Sequence, residues 1–194
     1  MQNKTIKLSK ISDELINSVC PLRLGATQPV PGAGNPKTEI LLIGEAPGEQ
    51  EDLLGQPFVG AAGKLLDKLL ASINLKREAV FITNIEKFRP PKNRDPLPEE
   101  IAACFPFLER QIKIIQPKLI ITLGRHALKK MFEWDKDKII DKSISISEFH
   151  GKLIRGKKGC YFPCYHPAAG LYQPSTKIEL EKDFQKIPKI LNKL

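Results

Sequence analysis

The chain has 194 residues, 41% of them hydrophobic, which is enough to bury one core in one compact domain spanning 1–194. No apolar run reaches the roughly 18 residues of a membrane span, and the opening MQNKTIKLSK has no apolar stretch of signal-peptide type, so a cytoplasmic protein without membrane contact is expected. The 31 Lys and Arg against 22 Asp and Glu leave a formal charge of +9, which favours a polyanionic partner, nucleic acid first, although a solvated lysine-rich surface would give the same number.

Ile11, Leu15, Ile16 and Val19 recur at helical spacing and predict a short helix with its N-cap at or near Ser12. The stretch PLRLGATQPVPGAGNP is too rich in turn residues to hold a long regular element. EILLI (39–43) is a nearly continuous apolar run of the kind buried on both faces of a parallel sheet, and it ends in GEAPG. Leu65, Leu66, Leu69 and Leu70 mark an amphipathic helix. AVFITNI (79–85) and LIITL (119–123) read as two further buried strands.

Between those two strands lie a basic, proline-rich loop, KFRPPKNRDPLP, and a helical pattern that continues through Pro106. GRHALKKMF starts another helix, KLIRGKKGCYFPCYHPAAG suggests a hairpin or edge strand, and KIELEKDFQKIPKILNKL closes the chain as an amphipathic helix. Alternating strands and helices predict an α/β fold: a three-layer α/β/α sandwich around a central, mainly parallel four-stranded sheet. Ligands of such sheets sit beyond the C-terminal strand ends, which here carry GEAPG, TN and LG.

The four cysteines, Cys20, Cys104, Cys160 and Cys164, are too few and scattered for a disulfide scaffold, and the one close pair is weak evidence for a metal site. GEAPG lacks the Lys and Ser/Thr of a P-loop and the spacing of a dinucleotide fingerprint, which argues against a nucleotide triphosphatase. Three segments carry the chemistry: GEAPGEQEDLLGQPFVGAAG (44–63), FITNIEKFRPPKNR (81–94) and CYHPAAGLYQP (164–174).

Taken jointly and in this order, GEAPGEQED with GQPFVGAAG, TNIEKFRPP and HPA resemble the motifs of the uracil-DNA glycosylase superfamily, and among its branches the thermostable iron–sulfur family 4. The resemblance runs from about Cys20 to the C-terminal helix. It implies a monofunctional DNA N-glycosylase that releases uracil from DNA in base excision repair, acts as a monomer and leaves an abasic site. It further implies that Glu45 guides water and offsets positive charge at the sugar, with Glu51 as a second carboxylate in the pocket, and that His166 stabilises the departing uracil anion. Gly44, Ala46, Phe58 and Asn84 would bind the flipped base, Phe58 by stacking and Asn84 by pairing with uracil N3 and O4.

DNA contacts are expected from Lys87, Arg89, Lys92 and Arg94 in the basic loop, from Arg125, and from Leu171 or Tyr172 as a wedge, although small Ala169 and Gly170 put the wedge in doubt. The loop RPPKNRDPLP has no histidine, so covalent trapping is not expected, and no lysine in the motifs suggests lyase activity. The chain departs from the resemblance at the cluster. The four ligand positions fall on Asn17, Cys20, Phe88 and Cys104, so only Cys20 and Cys104 are retained, and neither a cluster nor any other metal or cofactor is expected. Two rival readings stand beside this one: a member of the fold that binds nucleic acid without catalysis, and a glycosylase for another deaminated base.

Overall fold

The computed structural model describes residues 3–135 and 144–194. Its sheet has six strands in the order β1-β3-β2-β4-β6-β5. Four of them form the parallel centre: β3 (Phe81–Asn84), β2 (Ile40–Gly44), β4 (Leu119–Leu123) and β6 (Cys160–Cys164). The expected four-stranded sheet is this centre; of the two further antiparallel strands, β5 (Ile154–Arg155) forms with β6 the hairpin expected at KLIRGKKGCYFPC, and β1 (Ala33–Gly34) is a two-residue edge too short to leave a periodic signal in sequence.

The sheet is covered on both faces, and the strand residues divide between two cores by alternation. Leu41, Ile43 and Ile120 point into one core with α1 (Lys4–Ile16), α4 (Pro98–Ile115) and α5 (Arg125–Asp135). Ile40, Leu42, Leu119, Ile121 and Leu123 point into the other with α3 (Ala61–Ala71) and α8 (Pro174–Leu191). Three short helices complete the order: α2 (Glu49–Leu54), α6 (Ile146–Phe149) and α7 (Pro167–Tyr172). Among the described residues no helix is long and apolar enough to cross a membrane.

Pro106 does not break α4, and Pro98 sits at its start, where its missing N–H costs nothing. The first helix corrects the sequence expectation. Asn3, not Ser12, is its N-cap, accepting from the Thr5 N–H at 3.1 Å, while Ser12 lies inside the helix with its hydroxyl on the Leu8 carbonyl. The helix ends at Ile16, so Val19, read as part of the apolar stripe, is 95% exposed, whereas Leu15 is fully buried. Leu15→Ala should therefore cost about 2–5 kcal/mol in urea denaturation, and Val19→Ser less than about 0.5 kcal/mol.

Candidate active site

The C-terminal ends of β2, β3 and β6, with the loop that precedes α3, surround a cleft of about 340 Å³ lined by Glu45, Glu51, Phe58, Asn84 and His166, with the loop residues Pro90 to Asp95 at its rim. The register of the parallel sheet brings the first of these together. Gly44 pairs with Asn84 across β2 and β3, and a Cβ at Gly44 would overlap Asn84 Oδ1 and lie 2.7 Å from the Phe58 ring. Only glycine lets the amide and the aromatic face meet there.

Asn84 is 1% exposed, and its Oδ1 has no hydrogen-bond partner. A buried amide oxygen left unpaired costs free energy that a ligand donor would recover. Its backbone carbonyl, in contrast, is held firmly. Lys87 Nζ donates to it at 2.7 Å, to Thr83 Oγ1 at 2.7 Å and to Gln111 Oε1 at 2.8 Å, using all three ammonium donors. Lys87 is fully buried, and burial pushes its ammonium down to about 7. The expected phosphate contact from Lys87 is therefore corrected: a buried side chain with three internal acceptors does not reach a DNA backbone, and it fixes Asn84 instead.

Phe58 is 5% exposed and has φ 53°, a left-handed conformation that is costly for a bulky residue. Two clamps hold it. Arg77 Nη1 donates to the Phe58 carbonyl at 2.8 Å, its Nη2 to the Pro57 carbonyl, and the same guanidinium pairs with Asp67. Glu51 accepts from the Val59 and Gly60 N–H groups through Oε1, both at 2.8 Å, and from the Gly48 N–H through Oε2 at 3.1 Å. Glu51 lines the cleft, as expected, but its oxygens are committed to backbone donors, so its visible work is to tie the Phe58 loop to the start of α2.

His166 caps α7, and its ring lies 5.6 Å from the Phe58 ring, tilted by 32°. Room for it comes from Gly124 (φ 92°), where a Cβ would stand 3.0 Å from His166 Cβ. Nδ1 accepts from the Ala168 N–H at 3.1 Å, which leaves the ring proton on Nε2. Burial pushes the imidazole down to about 4, with Glu51 pulling it upward and His126 downward. The ring is thus a neutral Nε2–H donor.

Glu45, expected in the site, follows β2 and meets a partner from the first turn of α5. His126 Nδ1 stands 2.6 Å from Glu45 Oε1, while His126 Nε2 is 3.0 Å from Arg125 Nη2 and 3.7 Å from Asp95 Oδ2. A guanidinium can only donate, so Nε2 accepts from Arg125 and Nδ1–H donates to Glu45. His126 as the partner of Glu45, together with Arg77 and Asp95, was missed because these residues come from separate elements whose local patterns read as helix start or turn.

Around the rim, Arg94 makes a two-pronged pair with Glu100 at 2.8 and 2.5 Å, and Arg89 donates to Asn93 Oδ1 at 2.8 Å and lies 3.7 Å from Glu49. Lys92 and Arg125 are exposed. Leu171 and Tyr172, at the end of the helix that His166 caps, are 43% and 85% exposed.

The four-iron cluster that the resemblance implies finds no matching donor set. Cys20 and Cys104 lie with their sulfurs 3.2 Å apart, but Asn17 is exposed and Phe88 is 1% exposed in the apolar core. Cys160 and Cys164 cannot substitute, because they pack with the core on the opposite face of the sheet. Beside the two sulfurs is Glu86, fully buried and pushed up to about 8 by burial, against the pull of the Cys104 thiol.

A family model described as the Uracil DNA glycosylase superfamily matches residues 31–194. A type-4 uracil-DNA glycosylase of Sulfurisphaera tokodaii is 50% identical over 186 residues, covering 93% of this chain and 83% of the relative. One from Archaeoglobus fulgidus is 49% identical over 179 residues, covering 90% and 87%, and one from Thermotoga maritima is 41% identical over 181 residues, covering 91% and 90%.

The His166 tautomer can be read by NMR on protein with ¹⁵N-labelled histidine. The folded value of about 4 lies below the ordinary 6.5, so the ring should stay a neutral Nε2–H imidazole from pH 8 down to roughly pH 5. The stability that rests on this neutral ring should be complete above about 6.5 and decline as the pH falls from there towards 4. A His166 midpoint near 6.5 would contradict the assignment.

Proposed function

The chain belongs to the uracil-DNA glycosylase superfamily, and from that premise we propose that its cleft receives a deoxyuridine flipped out of DNA and hydrolyses the bond between uracil and the sugar. The unpaired Oδ1 of Asn84 carries this reading. Uracil offers an N3–H donor and an O4 acceptor, which meet the oxygen and the NH₂ of one side-chain amide. Cytosine presents an N3 acceptor and an amino donor, the reverse pattern, and leaves both amide groups opposed. A site built on a buried polar group discriminates strongly against a ligand that leaves it unpaired.

Phe58 supplies the apolar face that the base loses when it leaves the stack. His166 donates Nε2–H to uracil O2, where negative charge grows as the N-glycosidic bond breaks. A neutral donor does this without a proton transfer, and its fixed tautomer needs no reorganisation. Glu45, oriented by His126, holds the water that adds to C1′ and offsets the positive charge of the sugar. The products are uracil and an abasic site, and the step needs no cofactor.

The same framework assigns DNA contacts to Arg89, Lys92, Arg94 and Arg125, with Leu171 or Tyr172 entering the space left by the flipped nucleotide. The Arg125 contact is shared with its hydrogen bond to His126. The activity is assigned to a single domain acting as a monomer on uracil-containing DNA.

Incubation with uracil-containing single- and double-stranded oligonucleotides tests the reading. Alkali-labile cleavage at uracil is expected, and none with either substrate would refute it. In the same assay His126→Ala should lower kcat roughly 10- to 100-fold with KM little changed, because Glu45 loses its orientation. His126→Asn, which keeps an N–H donor, should recover part of that loss.

A further inference from the structure

We propose that Cys20, Cys104 and Glu86 form a binding site for a single thiophilic divalent cation of the zinc class, in the place where the resemblance would put a four-iron cluster. One donor atom from each lies within 4.8 Å of the others, and all three residues are buried. They come from three separate parts of the chain: the turn after α1, the segment after β3, and α4.

Glu86 points to a ligand. It is fully buried, and neither carboxylate oxygen has a hydrogen-bond partner. Lys87, next to it in sequence, spends its three donors elsewhere. A buried carboxyl group whose two oxygens have no partners is costly even when burial keeps it protonated, and a coordinated cation would satisfy it as the carboxylate. One sulfur is prepared in the same sense. Cys104 Sγ accepts the Lys87 N–H at 3.4 Å. Such N–H···S contacts are the outer-shell partners that orient metal-bound thiolates.

The two thiols share an S–H···S hydrogen bond at 3.2 Å, too long for a disulfide at about 2.05 Å. Around a tetrahedral ion with metal–sulfur bonds of about 2.3 Å the sulfurs would stand about 3.8 Å apart, so an opening of roughly half an ångström admits the ion. Two thiolates and one carboxylate select a zinc-like cation over magnesium or calcium, which take oxygen donors. Three protein ligands leave the fourth position to water. Three negative ligands against a dication leave one negative charge, which the buried Lys87 ammonium offsets. Binding releases the two thiol protons and the proton that burial keeps on Glu86 to solvent, and cross-links the N-terminal segment to β3 and α4.

The full chain, reduced and freed of metal with a chelator, should be titrated with Co²⁺ alone. One equivalent is expected to produce sulfur-to-cobalt charge-transfer absorption together with the visible bands of a tetrahedral ion, and Zn²⁺ should bleach both and raise the Tm. Glu86→Gln should weaken Co²⁺ at least about ten-fold, and the Cys20→Ser, Cys104→Ser double variant should abolish the charge-transfer band. Cys160→Ser should leave it intact, and circular dichroism of each metal-free variant shows whether the fold is kept. The proposal is overturned if folded wild-type protein gives no charge-transfer band, or if the double variant retains it. It is equally overturned if anaerobically purified protein carries a Cys20–Cys104 disulfide, or iron and sulfide near four each.

Discussion

The missing Cβ of Gly44 is the constraint on which the cleft depends. Parallel pairing of β2 with β3 places Gly44 opposite Asn84, and the Phe58 ring closes over the same point. Any side chain there would separate the amide from the aromatic face. With hydrogen alone, an edge that reads hydrogen bonds and a face that accepts a flat ring stand together. In the proposed reading, the sheet register therefore sets the geometry of recognition before any ligand arrives.

The rest of the site is organised to keep that point rigid. Lys87 fixes the Asn84 backbone from within the core, Glu51 and Arg77 hold Phe58 in a left-handed conformation, and the Ala168 N–H fixes the His166 tautomer. Lys87, Glu51 and Arg77 each place a charged group where it makes several hydrogen bonds at once, which is how a buried polar network becomes stabilising. Strain at Phe58 and the unpaired amide of Asn84 are then tolerated locally because the surroundings are over-determined. In a dissociative glycosyl cleavage such pre-organisation matters, since charge develops on both fragments and the site has no time to rearrange around it.

Much of this was legible in the sequence, for definite reasons. Runs such as LIITL are apolar throughout because both sheet faces are covered, so the central strands and the helices between them stand out. Asn84, Phe58 and His166, which line one cleft, were singled out through motifs that keep their order along the chain. Charge in the basic loop misled at Lys87, because composition does not say which lysine turns inward. Val19 misled for a related reason: apolar spacing continues past the point where the helix stops. The partnership of Glu45 with His126, the Arg77 clamp and the grouping of Glu86 with Cys20 and Cys104 were illegible, since each joins residues brought together only by the fold. Phe88, at a lost cluster position, is buried in the apolar core.

The central claim is that the Asn84 amide reads the base, and its side-chain ¹⁵N–¹H₂ resonances report this directly. Titration of labelled protein with free uracil is expected to shift that pair of resonances, while cytosine at the same concentration leaves them in place. Equal shifts with both bases, or none with uracil while other cleft resonances move, would contradict the account.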